Sequence, residues 1–127
     1  MLDTDSVSFF LRGRGHVVSE MLRRPRSEVC VSAITIAELR YGAARRKSSK
    51  LDALIDKFVA AVDVMSFDAA CAARYGTLAA ELAHRGEPIG DFDALIAAHA
   101  LNIGATLVTN NTKHFQRIRG LRIVNWL

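Results

Sequence analysis

The chain has 127 residues, half of them hydrophobic and 24% charged, which excludes an intrinsically disordered protein. Seventeen Lys and Arg against 13 Asp and Glu leave a formal net charge of +4, which favours a polyanionic partner. No apolar run approaches the ~20 residues of a bilayer-spanning helix, so no membrane association and a cytoplasmic location are expected.

Met1 to Thr4 reads as a short first strand, followed by an apolar helix over Ser6 to Leu11 and a turn at Gly13-Arg14-Gly15. His16 to Arg24 is a second short helix, ended by Pro25. Val29-Cys30-Val31 is a continuous apolar run rich in β-branched residues, the pattern of a strand covered on both faces. It leads into a helix over Ala33 to Ala44. After a polar link from Arg45 to Lys50 come a helix over Leu51 to Ala61 and a strand over Val62 to Met65. Asp68 to His84 is a long Ala-rich helix, closed by a turn at Gly86-Glu87-Pro88.

Gly90 then precedes an unbroken helical pattern that runs to Gly104, a C-terminal stop, with Asp91 as the expected N-cap. At about 100° per residue, Ile96, Ala97, Ala100 and Ile103 share one face, headed by Asp93. Thr106 to Thr109 is another buried strand, Asn110-Asn111-Thr112 a turn, and Leu121 to Trp126 the last strand. Cys30 and Cys71 are far apart and lack the close pairing of metal-binding cysteines, so both read as buried reduced thiols.

Short buried strands alternating with longer helices predict a single α/β domain over residues 1–127, with a central parallel sheet of about five short strands flanked by helices. Ligands of such folds sit beyond the carboxyl ends of the strands. That rule brings Asp3, the start of the Ala33 helix, Asp93 and Asn110-Asn111 to one rim. Asp3 at the end of the first strand is then a metal-ligating or nucleophilic acid, or else a hydrogen-bonded helix cap. Asp5 is better read as an N-cap. Glu38 falls on the helical face of Ile34, Ala37 and Tyr41, which admits a buried ion pair or a site residue. Asp93 heads an apolar stripe, where it lies at the mouth of a cleft, serves a bound ion, or simply favours the helix dipole.

Three acids from separate elements on one rim repel each other unless a cation intervenes. Oxygen-only ligands suit Mg²⁺ or Mn²⁺, and a basic protein holding such an ion is matched to a phosphodiester. His16, His84, His99 and His114 stand at unrelated spacings, with no zinc-binding pair. His99 reads as a partly buried helix residue.

Leu2-Asp3-Thr4, Ala37-Glu38-Leu39-Arg40-Tyr41-Gly42, Ile89-Gly90 with Asp93-Ala94-Leu95-Ile96-Ala97-Ala98-His99-Ala100, and Leu107-Val108-Thr109-Asn110-Asn111-Thr112-Lys113-His114-Phe115 resemble, in order, the motifs of PIN-domain ribonucleases of the VapC toxin type. The resemblance spans essentially the whole chain. It implies a three-layer PIN-like fold and a Mg²⁺- or Mn²⁺-dependent endoribonuclease, with Asp3, Glu38 and Asp93 as the metal-holding catalytic acids. Asn111, Thr109, Asp5 and Asp91 are accessory candidates. It also implies a homodimer, an RNA substrate such as tRNA, and a VapB-type antitoxin whose tail covers the cleft and through which operator DNA is bound. Two positions depart from the pattern: Asn111 stands where many relatives carry a fourth acid, and Asp5 where Asn is usual.

Asp3-Thr4-Asp5-Ser6-Val7 also fits the D-x-D pattern of haloacid-dehalogenase-type phosphatases, but the chain is short for that fold and the Glu38 motif is then unexplained. The remaining alternatives are a non-catalytic RNA- or protein-binding module, and a metal-independent RNase built on histidines that would ignore EDTA.

Overall fold

The computed structural model describes all of residues 1–127. In chain order the elements are α1 (Thr4–Leu11), α2 (Val17–Leu22), β1 (Cys30–Ser32), α3 (Ala33–Arg45), α4 (Ser49–Ala61), β2 (Asp63–Met65), α5 (Ala69–His84), α6 (Asp91–Ile103), β3 (Leu107–Val108), α7 (Thr112–Phe115) and β4 (Ile123–Val124). A 3₁₀ turn at Arg26–Glu28 precedes β1.

The predicted first strand shrinks to a hinge-pin. Leu2 alone bridges in parallel to Val31 on one side and Val108 on the other. Its neighbours complete the ladder: the Leu2 amide donates to Cys30 O at 2.9 Å, Asp3 N to Val108 O at 3.0 Å, and Val108 N to Met1 O at 2.8 Å. β1 pairs with β2 in the register Cys30–Asp63, Val31–Val64 and Ser32–Met65, and β3 pairs with β4 in the register Leu107–Ile123 and Val108–Val124, all parallel. Leu2 therefore joins two pairs into the order β2, β1, Leu2, β3, β4.

Alternation along these strands separates two cores, as a period of two requires. Leu2, Val31 and Val108 face one side, with Val7, Val17, Leu39, Ile55 and Phe58 from α1 to α4. Met1 and Leu107 face the other, with Leu78 and Leu82 of α5, Ile96, Ala97 and Ala100 of α6, and Phe115 of α7. Helices cover both faces of the sheet, which gives the expected three layers.

Several boundaries differ from the sequence reading. Helix α1 starts at Thr4 because Asp3, not Asp5, is its N-cap: the Asp3 side chain accepts from Ser6 N at 2.8 Å. The N-cap of α6 is Gly90 rather than Asp91, which lies exposed in the first turn. Gly104 closes α6 with a positive φ of 68°, where a residue with a Cβ is strained. Ile103 is 40% exposed, while Ile96, Ala97 and Ala100 are buried as the stripe predicts. The predicted turn after β3 continues into α7, a single helical turn whose Phe115 is fully buried. Cys71 is a buried free thiol, whereas Cys30 is only half-buried, since the sheet side it faces is incompletely covered. No helix is long and apolar enough to cross a membrane.

Candidate functional site

The carboxyl ends of the central strands deliver the polar groups. Asp3 follows Leu2, Ser32 ends β1, and Thr109 follows β3; all three are buried, Asp3 to 3% exposure. Asp3 is held by the Ser6 amide, and the Ser6 hydroxyl donates to Val108 O at 3.0 Å, so the cap of α1 is tied to β3. Burial pushes the Asp3 carboxyl above its ordinary range; hydrogen bonds from Thr109 and Ser6 oppose the shift, and the charge of Asp5 adds to it.

Glu38 comes from α3, whose N-terminus is capped by Ser32 Oγ accepting from Ile34 N at 3.1 Å. The sequence placed Glu38 on the apolar side with Ile34, Ala37 and Tyr41. The structure reverses this. Thr35, Leu39 and Ala43 are the buried positions, and Ala37 and Tyr41 are exposed, Tyr41 to 64%. Glu38 therefore stands on the open side, without an Arg partner, and accepts a hydrogen bond from Thr4 Oγ1 at 2.6 Å. Partial burial raises its pKa, the Thr4 bond lowers it, and the charges of Asp93, Asp5 and Asp3 raise it further.

Asp93 lies one position past the exposed Phe92, in the first turn of α6. It too is raised, first by burial and then by Asp5, while His114 and the Asn111 side chain favour its ionised form. Asn111 reaches it from the turn after β3: its amide nitrogen lies 2.8 Å from His114 Nδ1, and its own backbone amide donates to Thr109 Oγ1 at 2.9 Å.

Asp3 and Asp93 thus lie within electrostatic reach of Glu38, and Asp5 joins them. Asp5 is exposed in the first turn of α1, yet its charge acts on all three. Thr4 and His114 are the members that sequence reasoning assigned no role. Thr4 pairs across 34 residues, and a contact of that range leaves no local pattern. His114 follows Asn111 by one helical turn, and the unpredicted α7 is what brings it round. Asp91 stays outside the group.

A hard divalent cation fits the donor set. The groups are carboxylates, hydroxyls and an amide, with no thiolate, and the acids carry pKa values raised first by burial and then by the charges of neighbouring acids. No three carboxylate, imidazole or thiol groups stand close enough to enclose an ion directly. The arrangement suits a cation that keeps several waters and takes few protein oxygens, as Mg²⁺ does.

Residues 1–121 match the model of the PIN domain. Over 127 residues the chain is 40% identical to the tRNA(fMet)-specific endonuclease VapC of Shigella flexneri, covering 99% of this chain and 96% of that protein. It is 36% identical over 128 residues to ribonuclease VapC2 of Haemophilus influenzae, covering 100% and 97%. Its backbone superposes with a TM-score of 0.93 and 34% identity on a chain of the Rickettsia felis VapBC2 structure bound to a promoter DNA fragment, covering 100% of this chain and 98% of that one. A DNA-bound VapBC structure from Salmonella typhimurium gives a TM-score of 0.91 at 37% identity, covering 100% and 97%.

Sheet order, three layers and acid rim together define a PIN-domain nuclease, and the chain belongs to the PIN domain family. Within that family it belongs to the VapC ribonucleases, the endoribonuclease toxins of toxin–antitoxin pairs.

Proposed function

We propose that the protein hydrolyses RNA phosphodiesters at the Asp3, Glu38 and Asp93 rim with the help of Mg²⁺, for which Mn²⁺ substitutes. The observation that carries this reading is the convergence of the three acids from the N-cap of α1 and from α3 and α6, each with its pKa raised by burial. Asp3, Glu38 and Asp93 would hold the cation, whose positive charge would acidify a water and neutralise the scissile phosphate. The chain's own residues prepare the site for it. Asp3 is fixed by the Ser6 amide, Glu38 by the Thr4 hydroxyl, and at Asp93 the Asn111 side chain and His114 partly oppose the upward shift that burial and Asp5 impose. Asn111 also offers an amide oxygen or nitrogen to orient a water at the rim, and Thr109 buttresses Asp3 from below. Asp5 adds negative potential, which favours the cation.

The Shigella relative's designation as tRNA(fMet)-specific supports a tRNA as the substrate class here. The VapBC complexes among the structural relatives support a cognate VapB-type antitoxin, with operator DNA bound through the complex. A homodimer, which the sequence resemblance implies, completes this reading.

The test is cleavage of RNA by the purified protein, with metal and with EDTA. Mg²⁺-dependent products bearing 5′-phosphates, abolished in Asp93→Asn, are the expected result. EDTA-resistant cleavage leaving cyclic or 3′-phosphates would move the chemistry to the histidines, and phosphate release from small esters without RNA cleavage would restore the phosphatase reading.

A further inference from the structure

Beside the acid rim, α1 and α3 leave a groove of about 190 Å³ that continues away from it. Thr4 and Glu38, joined by their hydrogen bond, line one end. Arg12 and Arg46, the C-caps of α1 and α3, line the other, over a floor that includes Leu39 and Leu51. Gly42, midway between Glu38 and Arg46, adds no side chain to the wall, and a Cβ there would meet nothing within 4 Å.

The two helices thus run side by side with the same polarity: an acid and its hydroxyl partner where α1 begins, an arginine where each helix ends. Neither arginine has a side-chain hydrogen bond or an ion pair within the chain, whereas Arg40 nearby is held by Asp52 and Asp56 at 2.7 and 2.6 Å. A permanently charged planar fork suits phosphate oxygens. Thr4 and Arg12 lie about 12 Å apart along the axis of α1 at 1.5 Å per residue, a span of roughly three to four stacked nucleotides at about 3.4 Å each.

We infer that this groove carries the backbone of the RNA strand on one side of the cut, with Arg12 and Arg46 gripping a phosphate a few nucleotides from the scissile one. The inference rests on the nuclease reading, which places a scissile phosphate at the acid end and so fixes where the strand starts. Arg12 and Arg46 are positioning residues and touch no reacting atom. They set the direction in which the strand leaves the rim.

The experiment measures binding, so that it stands apart from catalysis. Labelled single-stranded RNA is titrated onto Asp93→Asn protein and onto the same protein carrying Arg12→Gln and Arg46→Gln, over a series of salt concentrations. Loss of both contacts to that phosphate should weaken binding about tenfold at physiological salt, and make the slope of log affinity against log salt shallower by about 0.7. An RNA too short to span the groove should show no such difference. Arg74→Gln with Arg119→Gln removes the same charge from a separate cavity bordered by α5 and serves as the control; it should leave the slope unchanged. Equal weakening by both pairs would reduce the effect to net charge and overturn the inference. So would unchanged RNA binding together with lost affinity for an acidic peptide, which would assign the groove to a protein partner. Absence of RNA cleavage by the unsubstituted protein with metal would strike the nuclease reading itself, a result separate from either of these.

Discussion

The hydroxyl of Thr4 donates to Oε1 of Glu38 at 2.6 Å, joining the first turn of α1 to the middle of α3. A hydrogen bond given to the charged form of a carboxyl stabilises that form. Here it works against burial and against three neighbouring acids, all of which raise the Glu38 pKa. Thr4→Val removes the donor at almost constant volume. The Glu38 carboxyl should then titrate at higher pH, visible in its side-chain carbon resonance, and the acid limb of the cleavage profile should move the same way. Thr4→Ser should restore both. A Glu38 titration indifferent to Thr4→Val would show that the bond does no electrostatic service.

Asp3 serves two ends at once, capping α1 through Ser6 N and presenting its carboxyl to the rim. The two can be separated. Asn is as good an N-cap as Asp, so Asp3→Asn should fold with near-native urea resistance while losing cleavage. Asp3→Ala should lose cleavage and also about 1 kcal/mol of stability, the usual cost of a deleted cap. Equal stability of the two variants would mean that the cap contributes nothing.

The strand-end acids were legible because each rests on a local signal. Asp3 follows a buried apolar pair, Glu38 sits in a helix that directly follows a buried strand, and Asp93 heads a helix framed by Gly90 and Gly104. The errors came where alanine dominates. Ala37 carries too little hydrophobicity to mark a face, so the stripe through Ile34, Glu38 and Tyr41 resembled the buried side, when Thr35, Leu39 and Ala43 fill it. The choice between Asp3 and Asp5 as cap was decided by the ladder: Asp3 N is pinned to Val108 O at 3.0 Å, which fixes the point where the chain turns into helix. That pairing spans most of the chain and has no local trace. Helix α7 escaped because one turn is too short for periodicity to register.

The three raised carboxyls make the metal-free protein sensitive to pH in a defined direction. A carboxyl whose folded pKa lies above its unfolded value keeps its proton longer in the native state. Stability therefore falls as pH rises from the ordinary carboxylate range through the raised folded value, and no penalty remains below both. Asp93→Asn and Glu38→Gln remove one charge each from the cluster. Without divalent metal at neutral pH both should unfold at higher temperature than the parent, and the difference should vanish in acid. Added Mg²⁺ should stabilise the parent and leave the variants little changed. A neutral-pH loss of stability in both variants, relative to the parent without metal, would mean that the acids are held by partners rather than by strain.

At the N-terminal end of Glu38's helix, His99 of α6 is buried to 1% exposure, with Nδ1 2.8 Å from Ser32 Oγ and its ring edge-on to Phe67. Ser32 Oγ also accepts from Ile34 N at 3.1 Å as the cap of α3, so the imidazole is tied to the start of that helix. Burial lowers the His99 pKa below the ordinary 6.5, and the charge of Asp68 only partly offsets this. Between the lowered folded value and 6.5 the unfolded chain binds more protons, so the His99 contribution is fully present above 6.5 and is lost as pH falls through that window. His99→Gln cannot charge and should flatten this part of the urea midpoint measured across roughly pH 5 to 8. Ser32→Ala should cost about 1 kcal/mol at every pH through the lost cap. It should also weaken cleavage more than an equally destabilising change in α4, because the cap sets where α3 begins and therefore where Glu38 meets Thr4. Cleavage that tracks stability alone in both variants would deny Ser32 any part in placing the acid.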